Sequence, residues 1–289
     1  MGLVGHVRIL FPLSRFDLFR SGDRRDDGEG IQGIQGLPSN NQDTRIIHSE
    51  SCEYKGYPRP KSVTLTLMER NLIFTPGCNY HIYDRGVEKR AIFLDDNDRM
   101  RFQHLLYLAN GDARVVYRLI QGSPLDRDRG NQHVPIFAYG MMTNHFHIVA
   151  QENESRGLTK FMSKLLTAYS MYFNTKHQRT GSLMVHPFKA KHIDNDDYFR
   201  WIMSYVHLNP LDLIEPGWKK KGVADPRQAA LFLKSYQYSS YPDYFGPARL
   251  EGKIIDRDAL PIDISALESF EQMLKEFNDP FERPDLEIW

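Results

Sequence analysis

Cysteine is scarce: Cys52 and Cys78 are the only two in 289 residues, and they sit in unrelated surroundings. That excludes a disulfide framework and a cysteine-rich zinc module, and it fits a reducing cytoplasm, the expected location. Long apolar runs are missing too. No segment approaches the ~20 residues that a bilayer span requires, so no membrane partner is expected. The start, Met1 to His6, lacks the basic and apolar stretches of a secretory signal. Internal repeats are absent. Net charge is also absent, with 37 Lys+Arg against 37 Asp+Glu. A zero sum by itself argues against nucleic acid, whose binders carry a basic excess. The sum hides a gradient, however: residues 1–250 stand at +7 and residues 251–289 at −7.

The regular patterning that is present starts late. The segment 21–41 is mostly Gly, Asp, Arg, Asn, Pro and Gln, with neither helical nor strand period. It cannot bury enough apolar surface to offset the entropy of ordering, so residues 1–67 are expected to be a disordered N-terminal extension. Met68 opens the segment Met68–Phe74, after which regular patterning begins, which makes it a candidate physiological start, with a genuine disordered arm as the equal alternative. From Tyr80 to Tyr83 the alternation predicts a strand, ending at Asp84-Arg85-Gly86. Asp95 to Ala109 predicts a helix with an acidic first turn. Residues 121–133 read as a polar loop, and Ile136–Gly140 with His145–Gln151 as a hairpin. Leu158 to His177 repeats apolar residues at the helical period of about 3.6. A further helix runs from Asp194 to Asn209, stopped by Pro210. A less regular, Tyr-rich segment follows at 217–246, and a short helix is expected at Ser265–Phe277 in the acidic tail. Strands and helices mix without a long βαβ pattern. The fold class expected is therefore α+β, with a mainly antiparallel sheet and packed helices.

Three constellations can carry chemistry. His145-Phe146-His147 lies in a predicted strand, so both imidazoles share one face about 7 Å apart at Cα and can converge on one divalent metal. The same spacing equally suits two surface strand histidines. Tyr205 and Asn209 stand at i and i+4 on one helical face, so a phenol nucleophile and an amide metal ligand can serve one site. Tyr205 equally fits a core stripe with Tyr198 and Ile202, and Tyr198 is a rival nucleophile without a polar partner at i+4. The third feature is an acid-free basic run: Arg156, Lys160, Lys164, Lys176, Arg179, Lys189 and Lys191, interleaved with Phe161, Tyr169, Tyr172, Phe173 and Phe188. Such a strip suits a phosphate backbone with unstacked bases, and it equally suits a solvated helix face over an aromatic core.

Together these residues resemble the REP-associated tyrosine transposases, within the HUH (His-hydrophobic-His) single-tyrosine transposases of bacterial insertion sequences. The resemblance is carried in order by Tyr80–Gly86, Met142-Thr143-Asn144-His145-Phe146-His147, Phe161 to Asn174, Gly181-Ser182-Leu183, Phe188-Lys189-Ala190, Tyr205-Val206-His207-Leu208-Asn209-Pro210 and Tyr238–Tyr241. It spans about residues 68–245. It implies a ferredoxin-like HUH domain over residues 68–215 and a C-terminal region with the acidic tail over 216–289. It also implies that His145, His147 and Asn209 bind a divalent metal, Mg²⁺ or Mn²⁺, and that Tyr205 is the nucleophile. The activity implied is nicking and rejoining of single-stranded DNA, often at hairpin-forming repeats, with no small-molecule substrate. The chain departs from the family at His186-Pro187, where Gly-Arg is usual, and at Asp212, where an Arg often follows Asn-Pro.

Two other functions remain open on these residues: a domesticated DNA-binding protein that keeps the fold without mobility, and a metal phosphodiesterase that uses water. His207 is not expected to act as base, since it points elsewhere on the helix. The acidic tail is expected to lie over the basic run.

Overall fold

The computed structural model describes residues 73–264 and 267–278. The expectations for residues 1–67 and for Met68 lie outside the described residues. In chain order come β1 (Asn79–Arg85), α1 (Asp96–Leu108), β2 (Ile136–Met141), β3 (His145–Gln151), α2 (Gly157–Lys176), β4 (Lys189–Ile193) and α3 (Asp196–Leu208). Then follow α4 (Trp218–Lys221), α5 (Pro226–Ser235), α6 (Tyr241–Phe245) and α7 (Phe270–Asn278). The four strands form one sheet in the order β2-β3-β1-β4, and every neighbouring pair is antiparallel. The first six elements run β-α-β-β-α-β, the ferredoxin-like order. The fold class is α+β, as expected.

Local chemistry explains the helix starts. Asp95 caps α1 by accepting from the Asp98 N–H at 2.9 Å, and Asn195 caps α3 by accepting from the Tyr198 N–H at 2.8 Å. The buried Glu152 carboxylate accepts from the N–H groups of Gly157 and Leu158, which places an anion on the positive end of α2.

The sheet is buried on both faces, and alternation assigns each strand residue to one of them. Tyr80 and Ile82 of β1 and Phe146, Ile148 and Ala150 of β3 share a core with α1 and α2. Phe137 and Ala138 of β2, Val149 of β3 and Ile193 of β4 share the other core with α3 and with α5 to α7. Contact between β2 and α3 is close at Gly140, where a Cβ would come within 2.9 Å of the Val206 carbonyl oxygen. This approach seats α3, and hence Tyr205, directly on the sheet.

The structure differs from the sequence reading in three places. Residues 217–246 hold the three helices α4, α5 and α6 rather than irregular chain. They are short, and their apolar residues meet the α3 core only in three dimensions, so their periodicity is faint along the chain. Strand β4 was not expected, because three of its five residues are Lys or His, on an edge strand. The tail helix α7 begins at Phe270, and Phe270, Met273 and Phe277 bury themselves against α3. Within the described part of the tail, α7 covers α3, while Ile254 and Ile255 join the α1 side of the other core; α7 does not cover the basic run on α2, which packs on the opposite face of the sheet.

Candidate functional site

The site lies on the α3 face of the sheet. Residues 145 and 147 share that face of β3, as the alternation predicts, while Phe146 points into the α1–α2 core. Tyr83 stands opposite His147 in the β1–β3 register, and His81 lies two residues earlier on the same face of β1. Helix α3 crosses above and lowers Tyr205 onto them. The Tyr205 ring centroid is 5.3 Å from that of His147 and 6.1 Å from that of His81, edge-on in both cases. The two rings of His145 and His147 are 5.1 Å apart and nearly perpendicular.

Burial and hydrogen bonding set the state of each group. His147 and His81 are fully buried, and His81 Nε2 lies 2.9 Å from His147 Nδ1. One of these nitrogens donates and the other accepts, so the pair shares a single proton between the rings. His147 Nε2 and His81 Nδ1 have no hydrogen-bond partner among the described residues. Burial depresses the His81 pKa to about 3, with the Lys191 charge adding to the effect, and holds His147 well below the usual histidine range. His145 is depressed to about 4, first by burial and then by the Lys219 ammonium. All three imidazoles are therefore neutral at pH 7, the state in which a ring nitrogen keeps a lone pair for a metal.

His145 Nδ1 lies 2.7 Å from Asn144 Oδ1, an acceptor, so Nδ1 carries the proton. That leaves the Nε2 lone pair facing Asn209, whose Nδ2 approaches it at 3.5 Å. The Asn209 oxygen faces the other way and accepts from Lys219 Nζ at 2.5 Å. Lys219 also pairs with Asp212 Oδ2 at 2.8 Å and sits 4.9 Å from the centroid of the Tyr205 ring. Tyr205 itself is only 2% exposed, and its hydroxyl has no hydrogen-bond partner among the described residues. Burial and the Asp212 carboxylate push its pKa further above the usual phenol value. Trp201 and Phe277 stack on the ring from above.

The family resemblance implies a divalent cation, and the donor set fits one. Two neutral imidazoles present Nε2 atoms, one of them buried without a partner, and the Asn209 amide borders His145. Among the described residues no group of three or more His, Cys, Asp or Glu is placed to hold a metal ion, so the third donor would be the amide oxygen. Two imidazoles and a carboxamide suit Mn²⁺ or Mg²⁺ with water completing the shell.

The residues singled out in the sequence are thus only partly brought together. His145, His147, Tyr205 and Asn209 converge. The rival Tyr198 is buried about two α3 turns before Tyr205, beside Trp201. His207 turns from the site and meets Ser240 Oγ at 2.8 Å. Of the basic run, Lys160, Lys164 and Lys176 lie on α2, with Arg156 and Arg179 at its two ends, against the far core. Lys176 pairs with Asp95 and Asp98, Lys160 pairs with Glu154, and Lys164 donates to the Gly111 carbonyl. Phe161, Tyr169 and Phe173 of the same run are core residues. Lys189 and Lys191 stand apart from these: they alternate with Ala190 and share the sheet face of Ile193, opposite Tyr83 and His81 in register.

Sequence reasoning missed His81 and Lys219. Period-two alternation was enough to put His81 on the face of Tyr83, but only the β1–β3 register brings that face beside His147. No local signal links Lys219 to Asn209. Gly217, at φ 84°, turns the chain, and Trp218 buries itself against Phe277 with ring centroids 4.9 Å apart. The next side chain is thereby swung back over the end of α3.

No family model matches the chain, and no curated protein matches it. Among solved structures, a REP-associated tyrosine transposase bound to a REP hairpin is similar over 61% of this chain and 84% of that one, at 11% identity and a TM-score of 0.37. A likeness at that identity and score fixes neither family nor activity.

Proposed function

We propose that this protein is a metal-dependent nuclease and strand-joining enzyme of the transposase type, which acts on single-stranded DNA through Tyr205. The observation that carries the reading is the convergence, on one sheet face, of His145, His147, Asn209 and the phenol of Tyr205, which are spread over 65 positions of the chain. The ordered resemblance to the HUH single-tyrosine transposases supports it.

In this reading a divalent cation, when bound, polarises the scissile phosphate and stabilises charge on its oxygens. His145 and His147 would hold it through Nε2, each kept in the needed tautomer by a partner on Nδ1, namely Asn144 and His81. Asn209 would contribute its amide oxygen if that atom left Lys219. The Tyr205 oxygen attacks phosphorus as its proton passes to a base, and the bond from phosphorus to the 3′ oxygen breaks. The products are a 5′-phosphotyrosine and a free 3′-OH. The new ester conserves the phosphodiester linkage, so the 3′-OH of another strand can reverse the step and join DNA. Burial keeps the Tyr205 phenol protonated at rest, which restricts attack to the assembled complex.

One observation favours a second reading, a DNA-binding protein that keeps the fold without mobility. Tyr205 is 2% exposed and stacked against Trp201 and Phe277, so a phosphate reaches its hydroxyl only if neighbouring side chains shift. A covalent-adduct assay decides between the two. Full-length protein is incubated with hairpin-bearing single-stranded DNA and Mn²⁺ and then denatured. The transposase reading expects a protein–DNA adduct that disappears in Tyr205→Phe. Binding without cleavage supports the second reading, and cleavage without any adduct points to water as the nucleophile.

A further inference from the structure

Lys219 connects three positions of the site that the chain separates. Its ammonium donates to Asn209 Oδ1 at 2.5 Å, pairs with Asp212 Oδ2 at 2.8 Å and lies 4.9 Å from the centre of the Tyr205 ring. An ammonium has three N–H donors, and these two oxygens use two of them. The side chain is 27% exposed while Tyr205 beneath it is 2% exposed, so Lys219 stands where solvent meets the site. The two lysines that follow, Lys220 and Lys221, are exposed on α4. Arg85 and Lys191 add positive charge close enough to act on His145 and His81.

We propose that Lys219 is a phosphate-contacting residue of this site, held by Asp212, and by Asn209 until that amide turns to a cation, so that a free N–H meets a non-bridging oxygen of a phosphodiester brought to Tyr205. The ligand class is a single-stranded nucleic-acid backbone, and the proposal rests on the reading of Tyr205 as the reactive residue. Asp212 serves here to place the ammonium. A lysine left without that carboxylate would extend into solvent and lose its fixed distance to the ring. Asn209 supplies the second anchor, and its release of Lys219 would free a second N–H for the same phosphate.

The test separates Lys219 from Tyr205 by measuring binding without chemistry. A labelled single-stranded oligonucleotide is titrated by fluorescence anisotropy across a series of NaCl concentrations, with full-length Tyr205→Phe protein and no added metal. Loss of one phosphate contact on a single strand lowers the slope of log K against log salt by about 0.7. Lys219→Met and Lys219→Gln in that background are expected to show this fall, and Lys219→Arg to restore the slope. Lys234→Met, which removes an exposed charge from α5, is expected to leave it unchanged. With Tyr205 intact and Mn²⁺ present, Lys219→Met should slow adduct formation on the order of 100-fold. An unchanged slope in folded Lys219→Met and Lys219→Gln, or an equal fall in Lys234→Met, overturns the inference, as does failure of the parent protein to bind the oligonucleotide. A parent that binds but forms no adduct when Tyr205 is intact sinks the nucleophile reading instead, and the salt slope still decides Lys219.

Discussion

His81 Nε2 lies 2.9 Å from His147 Nδ1, between two strands whose register sets their side chains on the same face. The pair has two proton arrangements. If His81 donates, His147 carries its remaining proton on Nε2 and cannot ligate a cation there. If His147 donates, its Nε2 lone pair is open toward His145 and Tyr205. A cation held at Nε2 would require the second arrangement, with His81 as the acceptor that fixes the tautomer of His147.

His81→Leu removes that acceptor and should weaken Mn²⁺ binding by about 10- to 100-fold. His81→Gln offers an acceptor again and should recover part of the loss. Electron paramagnetic resonance of free Mn²⁺ reads both without any DNA. Equal affinity in wild type and His81→Leu would show that His147 needs no partner.

Tyr205→Phe should abolish the covalent adduct while leaving the fold intact or slightly stabler. The hydroxyl is buried and unpartnered, and a buried unpaired polar group costs about 1–3 kcal/mol, so its removal has little to lose. Thermal melting checks the sign. A fall of several degrees would mean that the hydroxyl has a structural partner.

Stability should decline as pH is lowered from about 6.5 toward 4. His145 and His81 have folded pKa values near 4 and 3, and His207 near 3, all depressed mainly by burial. In the unfolded chain these groups take up protons near the ordinary histidine pKa, so unfolding binds protons throughout this window and acid favours it. Asp84 works in the opposite sense. Burial raises its pKa to about 7, so its contribution is present below the ordinary aspartate value and is lost as pH rises through 7. Urea unfolding at several pH values gives the net slope, and His207→Gln, away from the site, should reduce it.

Lys176 has a structural task. It pairs with Asp95 and with Asp98, whose side chain is fully buried and also meets His177 and Tyr172. Lys176→Met should cost about 1–3 kcal/mol by urea unfolding, because it strips a charged hydrogen bond from a buried carboxylate. Single-strand affinity should change less than in Lys191→Met, which alters the face of His81.

Much of this protein was legible in the chain itself. Alternation in Tyr80–Tyr83 and His145–Gln151, the apolar stripe of 158–177 and the acidic first turn after Asp95 are local signals, and each element formed where they pointed. The i, i+4 spacing of Tyr205 and Asn209 fixed a shared helical face, and the spacing of His145 and His147 fixed a shared strand face. What local spacing cannot encode is which face meets which. The pairing of β1 with β3 brought His81 to His147, and the packing of α3 on β2 at Gly140 brought Tyr205 to both. The left-handed turn at Gly217 returned Lys219 to Asn209. The same packing set five residues of the basic run on or beside the helix across the sheet and left Lys189 and Lys191 on the face of the site. The sequence determined the residues and their faces, because periodicity is a property of one segment. Only the tertiary structure decided their neighbours, because those depend on contacts between segments far apart in the chain.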